Sequence, residues 1–249
     1  MEGNDKKRFA YPLDSVDGLL FDYGATLDTA GTHWGKAIWH ACQACNVPVS
    51  EDDFRKAYVY AERTLGSQDI VQPQWTFRQT LAEKIRLEMG WLAENGMLQL
   101  SGETRRTAEA VHALLYRQVE EETARSRKAL AALAGHFRLG LVSNFYGNIR
   151  AVLAEFSLDA FFPHVVESAA VGIRKPDQRL FTMGAEAMGT APGRTAVVGD
   201  SIDKDIAPAK AAGMKAVWVK GEAWKNEGCD ETLPDLMINN VGQLLPVQA

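Results

Sequence analysis

The chain has 249 residues, 46% hydrophobic and 24% charged, with 27 Lys and Arg against 32 Asp and Glu for a formal charge of −5. Such a balance excludes disorder over most of the length and leaves enough apolar matter for a sizeable core. The acidic excess argues against gripping nucleic acid or an anionic membrane, which both select a basic face, and the length suits an α/β unit carrying an insert.

Residues 1–15 read as a polar lead; Met1 to Arg8 is charged and no apolar signal core follows it, so a cytoplasmic location is expected. No run approaches the ~18 apolar residues of a membrane helix. Val16 to Phe21 is a short apolar run that stops at Asp22 and is followed by Gly24, the pattern of a buried strand delivering a carboxylate at its end. From about Thr32 to Leu130 the pattern is helical. Ala37, Ile38, Ala41, Cys42 and Cys45 share one helix, which Val47-Pro48 ends. Ser50-Glu51-Asp52-Asp53 opens a second, a third runs from about Trp75 to Met89, and a long fourth from Glu103 to Leu133. Cys42 and Cys45 lie one turn apart with no zinc-site spacing beyond them, so they read as buried thiols. Trp34, Trp39, Trp75, Phe77 and Trp91 read as packing of this zone, with Trp34 near enough to the first strand to face a ligand. Arg125, Arg127 and Lys128 read as a solvated helix face.

Beyond Leu133 strands and helices alternate. Strands are expected at 139–142, around Val165-Val166, at 195–198, at 216–219 and at 236–238. Helices are expected through Ile149 to Phe156, over Asp177 to Met188, and from about Asp203 to Ala212 with Gly213 as its stop. Alternation of this kind implies an α/β, Rossmann-like parallel sheet with helices on both faces.

Ligands of such sheets bind beyond the carboxyl ends of the strands, where the order reverses. The polar residues there are Asp22, Ser143-Asn144, Lys175 and Asp200-Ser201 with Asp205. Carboxylates gathered at one place repel unless a cation stands between them, and an oxygen-rich site suits Mg²⁺. Lysine and hydroxyl donors suit a phosphoryl group.

Asp22-Tyr23-Gly24-Ala25-Thr26-Leu27-Asp28, then Ser143-Asn144, then Lys175-Pro176-Asp177, then Gly199-Asp200-Ser201 through Asp205 to Gly213-Met214 resemble, in order and spacing, the four motifs of the haloacid dehalogenase-like hydrolases. The resemblance implies a core of residues 1–30 and 131–249 with an inserted α-helical cap, residues 31–130. It also implies an Mg²⁺-dependent hydrolase, a phosphatase acting on a small phosphorylated metabolite, as monomer or homodimer. Asp22 would be the nucleophile forming an aspartyl-phosphate. Ser143 and the Asn144 amide would hold phosphoryl oxygens, and Lys175 would neutralise nucleophile and phosphate. Asp22, Asp200 and the Gly24 carbonyl would ligate the metal, with Asp205 acting directly or through water.

Phosphatases of this family carry a second Asp two residues after the nucleophile as general acid and base, and here that position is Gly24; the Gly that usually follows is Ala25. Losing such a group costs roughly 10²–10⁴-fold. Three readings stay open: a slow phosphatase or one using Asp28, His33 or a cap residue instead; a dehalogenase, or a phosphonate-cleaving enzyme with Lys36, Lys56 or Lys84 as its amine; or a module that binds metal and phosphate without turnover. His33, in a turn before a helix, reads as a surface residue.

Overall fold

The apolar run before Asp22 forms strand β1, Gly18–Phe21, buried at every residue. Such a strand has no polar alternation because helices cover both its faces. The computed structural model describes residues 9–99, 101–224 and 229–246, and Met1 to Arg8 of the polar lead lie outside them.

Four helices follow. They are α1, Trp34–Ala44; α2, Glu51–Ser67; α3, Phe77–Glu94; and α4, Gly102–Leu133. Each starts on a side chain that accepts an otherwise unpaired N–H: His33, Ser50, Thr76 (in a capping box with Gln79) and Ser101. The rest of the chain alternates as its periodicity predicts: β2 Arg138–Ser143, α5 Ile149–Glu155, β3 His164–Glu167, α6 Ser168–Val171, α7 Gln178–Met188, β4 Thr195–Gly199, α8 Ala207–Ala211, β5 Lys215–Val219 and β6 Leu236–Ile238. No helix of the described residues is long and apolar enough to cross a membrane.

The six strands form one parallel sheet in the order β3-β2-β1-β4-β5-β6. β1 sits where the order reverses, with Phe21 opposite Leu141 of β2 and Val198 of β4. That register brings the residues after β1, β2 and β4 to a common edge. Alternate side chains of β1 feed separate cores: Leu19 and Phe21 pack with the face that includes Ile38 and Val119, whereas Leu20 packs with Leu180 and Phe181 of α7. The sheet is therefore sandwiched, as the alternation implies. α4 ties insert to core: its Ser126 hydroxyl donates to the Leu27 carbonyl (2.8 Å), and Ala129, Leu130 and Leu133 join the core of Leu139 and Leu141.

One expected helix differs. Residues 203–212 are not a single α-helix: Ile202–Ile206 forms a wide π turn, and only Ala207–Ala211 is α-helical. Pro208 has no N–H to give, and its ring would crowd the carbonyl four residues back in a regular helix. The widened turn, with Ala207 N–H donating to Ile202, carries Asp205 back under the sheet edge. Gly213 does end the segment, at φ +76°.

Glu88 of α3 is wholly buried, and neither carboxylate oxygen has a hydrogen-bond partner among the described residues. Burial pushes its pKa from 4.5 to about 8, with Lys84 pulling the other way. The native state thus holds a proton that the unfolded state releases, so this group's stabilising effect is complete below pH 4.5 and is lost as pH rises through about 8. Glu88→Leu is expected to raise the melting temperature by about 2–4 °C at pH 8, corresponding to ~1 kcal/mol, and to flatten the fall in stability between pH 5 and 8. Thermal melts of both proteins across that range check it.

Candidate active site

The loop after β1 begins with Asp22, whose N–H donates to Val198 of β4 at 2.9 Å. Lys175 Nζ lies 2.6 Å from Asp22 Oδ1 and 2.7 Å from Asp205 Oδ1, with its side chain only 3% exposed. The second oxygen of Asp205 accepts the Ser201 N–H (3.1 Å), and the Asp200 carbonyl accepts the Trp218 indole N–H (2.7 Å). Asn144 brackets the lysine's backbone, accepting its N–H at 2.9 Å and donating to its carbonyl at 3.1 Å. The Asn144 side-chain amide is thus spent on positioning Lys175. Ser143, at the buried end of β2, lines the same cavity.

Asp22, Asp200 and Asp205 each offer an oxygen within 4.8 Å of the others. Burial pushes Asp22 up to about 6 despite the pull of Lys175, and burial together with Asp205 and Asp22 holds Asp200 well above the carboxylate range. Burial would lower the Lys175 ammonium, but Asp205 and Asp22 outweigh it and keep it charged. One ammonium cannot balance three carboxylates. The all-oxygen donor set fits a hard cation such as Mg²⁺. Lys175 and Ser201 already engage both oxygens of Asp205, so Asp22 and Asp200 are the carboxylates more open to an ion.

These groups open on a cavity of about 530 Å³ whose opposite wall comes from α2 and α3. Glu62 and Tyr146, which line it with Lys84, escaped the sequence reading. Lys84 pairs with Glu62 Oε1, and the Tyr146 hydroxyl donates to the same oxygen at 2.9 Å. The ammonium lies 5.4–5.7 Å from the ring centroids of Trp34, Tyr58 and Tyr146. Burial alone would raise Glu62, yet Lys84 holds it below the ordinary value. The available signal was Thr80-Lys84-Glu88, a polar row at spacing four that imitates a solvated face; all three are buried.

The residues weighed as replacements for the missing acid are otherwise committed. Asp28 is buried, with its oxygens accepting the Ala25 N–H (2.7 Å) and the Trp34 indole N–H (3.0 Å); burial pushes it up to about 7. His33 is not on the surface as expected. It lines the cavity, accepts the Gly35 N–H on Nδ1 (3.0 Å), packs edge-on against Tyr58 and Trp224, and is lowered to about 4 by burial. Lys36 pairs with Glu51 and Glu222, and Lys56 with Asp53, so of the three lysines considered only Lys84 lines the cavity. Trp34 faces the cavity, Trp39 and Cys42 are buried, Cys45 is half-buried, and Arg125, Arg127 and Lys128 are exposed.

A doubly wound parallel sheet with an acidic cluster and a buried lysine at its switch point defines a class of α/β enzyme. The model of the haloacid dehalogenase-like hydrolase family matches residues 13–213, and the chain belongs to that family of hydrolases. The chain is 35% identical over 136 residues to a phosphoserine phosphatase of Thermus thermophilus, covering 54% of this chain and 51% of the relative. It is 35% identical over 95 residues to a glyceraldehyde 3-phosphate phosphatase of Methanocaldococcus jannaschii, covering 38% and 41%. The chain thus spans about half the length of the curated relatives it matches. Among solved structures, a HAD phosphatase from Thermococcus onnurineus superposes with a TM-score of 0.52 at 20% identity, covering 92% of this chain and 96% of that one. A dehalogenase with an intermediate complex gives 0.61 at 16% identity with the same coverage. At these identities the likeness is one of fold.

A Cβ on Gly199 would lie 2.5 Å from Cβ and Cγ of Asp205, so glycine there admits the carboxylate that holds Lys175. Gly199→Ala is expected to destabilise the chain by about 1–3 kcal/mol, shifting the melting temperature down in calorimetry. An unchanged melt would show that Asp205 is not confined against β4.

Proposed function

We propose that this hydrolase is a phosphatase of small phosphorylated metabolites working through Asp22. The observation that carries the reading is the Lys175 ammonium bridging Asp22 and Asp205 beside Asp200, at the strand ends where a phosphate would meet Ser143. The names of the relatives, which are phosphatases of phosphorylated three-carbon compounds, support the same reaction class.

An oxygen of Asp22 attacks phosphorus, the bond from phosphorus to the substrate oxygen breaks, and the electron pair leaves with that oxygen. The Ser143 hydroxyl and the Asn144 backbone N–H donate to phosphoryl oxygens, while Lys175 offsets negative charge on nucleophile and phosphate. Water then attacks phosphorus, the Asp22–phosphorus link breaks, and inorganic phosphate departs. Asp22, Asp200 and the Gly24 carbonyl would hold Mg²⁺, backed by Asp205; the ion would neutralise charge between carboxylate and phosphate. Residues 31–130 act as the cap and residues 1–30 and 131–249 as the core in this reading. The Lys84–Glu62 pair counts against the phosphonate-cleaving alternative, because an amine held as an ammonium is no nucleophile.

Asp22→Asn is expected to lower turnover of an activated aryl phosphate by about 10³-fold or more while leaving the melting temperature within a few degrees. Wild-type activity is expected to vanish with a chelator and return with Mg²⁺. Acid-quenched wild-type protein should carry a phosphoryl group on the Asp22 peptide by mass spectrometry. Undiminished turnover in the Asn variant would remove Asp22 as nucleophile.

A further inference from the structure

Gly24 leaves the position beside the nucleophile without a side chain, and the loop is built around that lack. A Cβ there would stand 3.8 Å from Trp34 Cδ1 and 3.9 Å from its Nε1, so the space faces an indole. That indole is fixed by its hydrogen bond to Asp28, whose other oxygen clamps Ala25. Asp28 is therefore part of the loop's frame and does not line the cavity. His33 has Nδ1 occupied by the Gly35 N–H, so it presents only the N–H of a neutral ring on Nε2, which is no acid at neutral pH. Glu62 faces the cavity as a carboxylate, because Lys84 and Tyr146 both donate to it. None of Asp28, His33 and Glu62 thus supplies a proton above the nucleophile.

The same wall is aromatic. Trp34, Tyr58, Phe77, Tyr146 and Trp224 line the cavity; Trp34 and Phe77 have centroids 5.4 Å apart, and Tyr58 stacks on Trp224 at 5.6 Å. Such faces receive a flat ring, and Lys84 adds a cation beside them.

We propose that the substrate is an aryl phosphate, a phosphate monoester of a phenol-type hydroxyl, whose leaving group departs unprotonated. This rests on the phosphatase reading above. The bond between phosphorus and the aryl oxygen breaks, its electron pair stays on that oxygen as phenolate, and bulk water later supplies the proton. An alkyl alkoxide is too basic to leave this way, so alkyl phosphates are discriminated by chemistry while a ring on either kind still binds.

The test compares phenyl phosphate with benzyl phosphate, which carries the same ring on an alkyl oxygen, using wild type and Gly24→Asp with Mg²⁺ supplied. Wild type is expected to show kcat/KM on benzyl phosphate lower by ~10² or more, while the unreactive Asp22→Asn variant binds the two esters within about threefold of one another. The new carboxyl in Gly24→Asp is expected to narrow that gap at least tenfold. Wild-type kcat/KM values within about threefold of one another would overturn the proposal, because some group would then be supplying the proton to the leaving oxygen. Aliphatic acyl or enol phosphates turned over with phenyl phosphate refused would overturn its aromatic part. If no phosphate ester is turned over at all, the phosphatase reading itself fails. The wild-type pair decides the matter even if Gly24→Asp does not fold.

Discussion

The ammonium of Lys175, within 2.7 Å of one oxygen on each of Asp22 and Asp205, is the contact on which the site depends. Two carboxylates that close, and a third within 4.8 Å, repel strongly away from water. Lys175 offsets part of that repulsion and is itself retained in the buried site only by those carboxylates. The rest of the local structure serves this pair. Asn144 holds the lysine's backbone from both sides, the missing side chain of Gly199 admits Asp205, and the π turn ahead of Pro208 swings Asp205 inward. The sheet register places Asp22 and Asp200 at neighbouring strand ends, so the charge cluster follows directly from parallel pairing of β1 with β4.

The loop after Asp22 is self-consistent around glycine. Trp34 closes over Gly24, Asp28 receives the indole N–H and the Ala25 N–H, and Ala25 itself stands at φ +63°. A left-handed conformation costs an alanine ~1–2 kcal/mol, which the Asp28 hydrogen bond helps to offset. The two departures from a usual phosphatase loop, Gly24 and Ala25, therefore share one frame with Asp28 and Trp34, and Gly24 is not an isolated loss.

Much of this was legible in the sequence wherever one chain segment decides the outcome. A short apolar run that halts at a polar residue is a strand end in a parallel sheet, and Asp22, Ser143 and Asp200 were readable for that reason, whereas Lys175 follows α6 and was readable from the order of the motifs. Capping residues such as Ser50 marked helix starts equally well. The cap wall was legible only in part, at Trp34. Lys84 and Glu88 lie on α3 at a spacing that ordinarily means a solvated face, and only the packing of α2 along α3 buries them beside Glu62. His33 likewise owes its burial to Tyr58 and Trp224, from remote parts of the chain. The π turn had one local sign, Pro208, which sets where a regular helix can begin but not how the preceding turn widens.

The two walls of the cavity divide their work by charge. The core wall carries an excess of carboxylate that calls for a cation and an ammonium, the arrangement that suits a phosphoryl group. The cap wall carries a lysine already neutralised by Glu62, set among aromatic faces, an arrangement that suits what the phosphoryl group is attached to. Their separation is fixed through α4, which runs unbroken from the insert into the core and bonds to Leu27 within the loop that bears Asp22 and Asp28. In the proposed reaction, cap side chains such as Tyr58 would meet the leaving group, on an element separate from the loop that bears Asp22. In the reaction proposed above the proton requirement is different: it is set at Gly24, inside the loop after β1, and no change in the cap wall places an acid at that position.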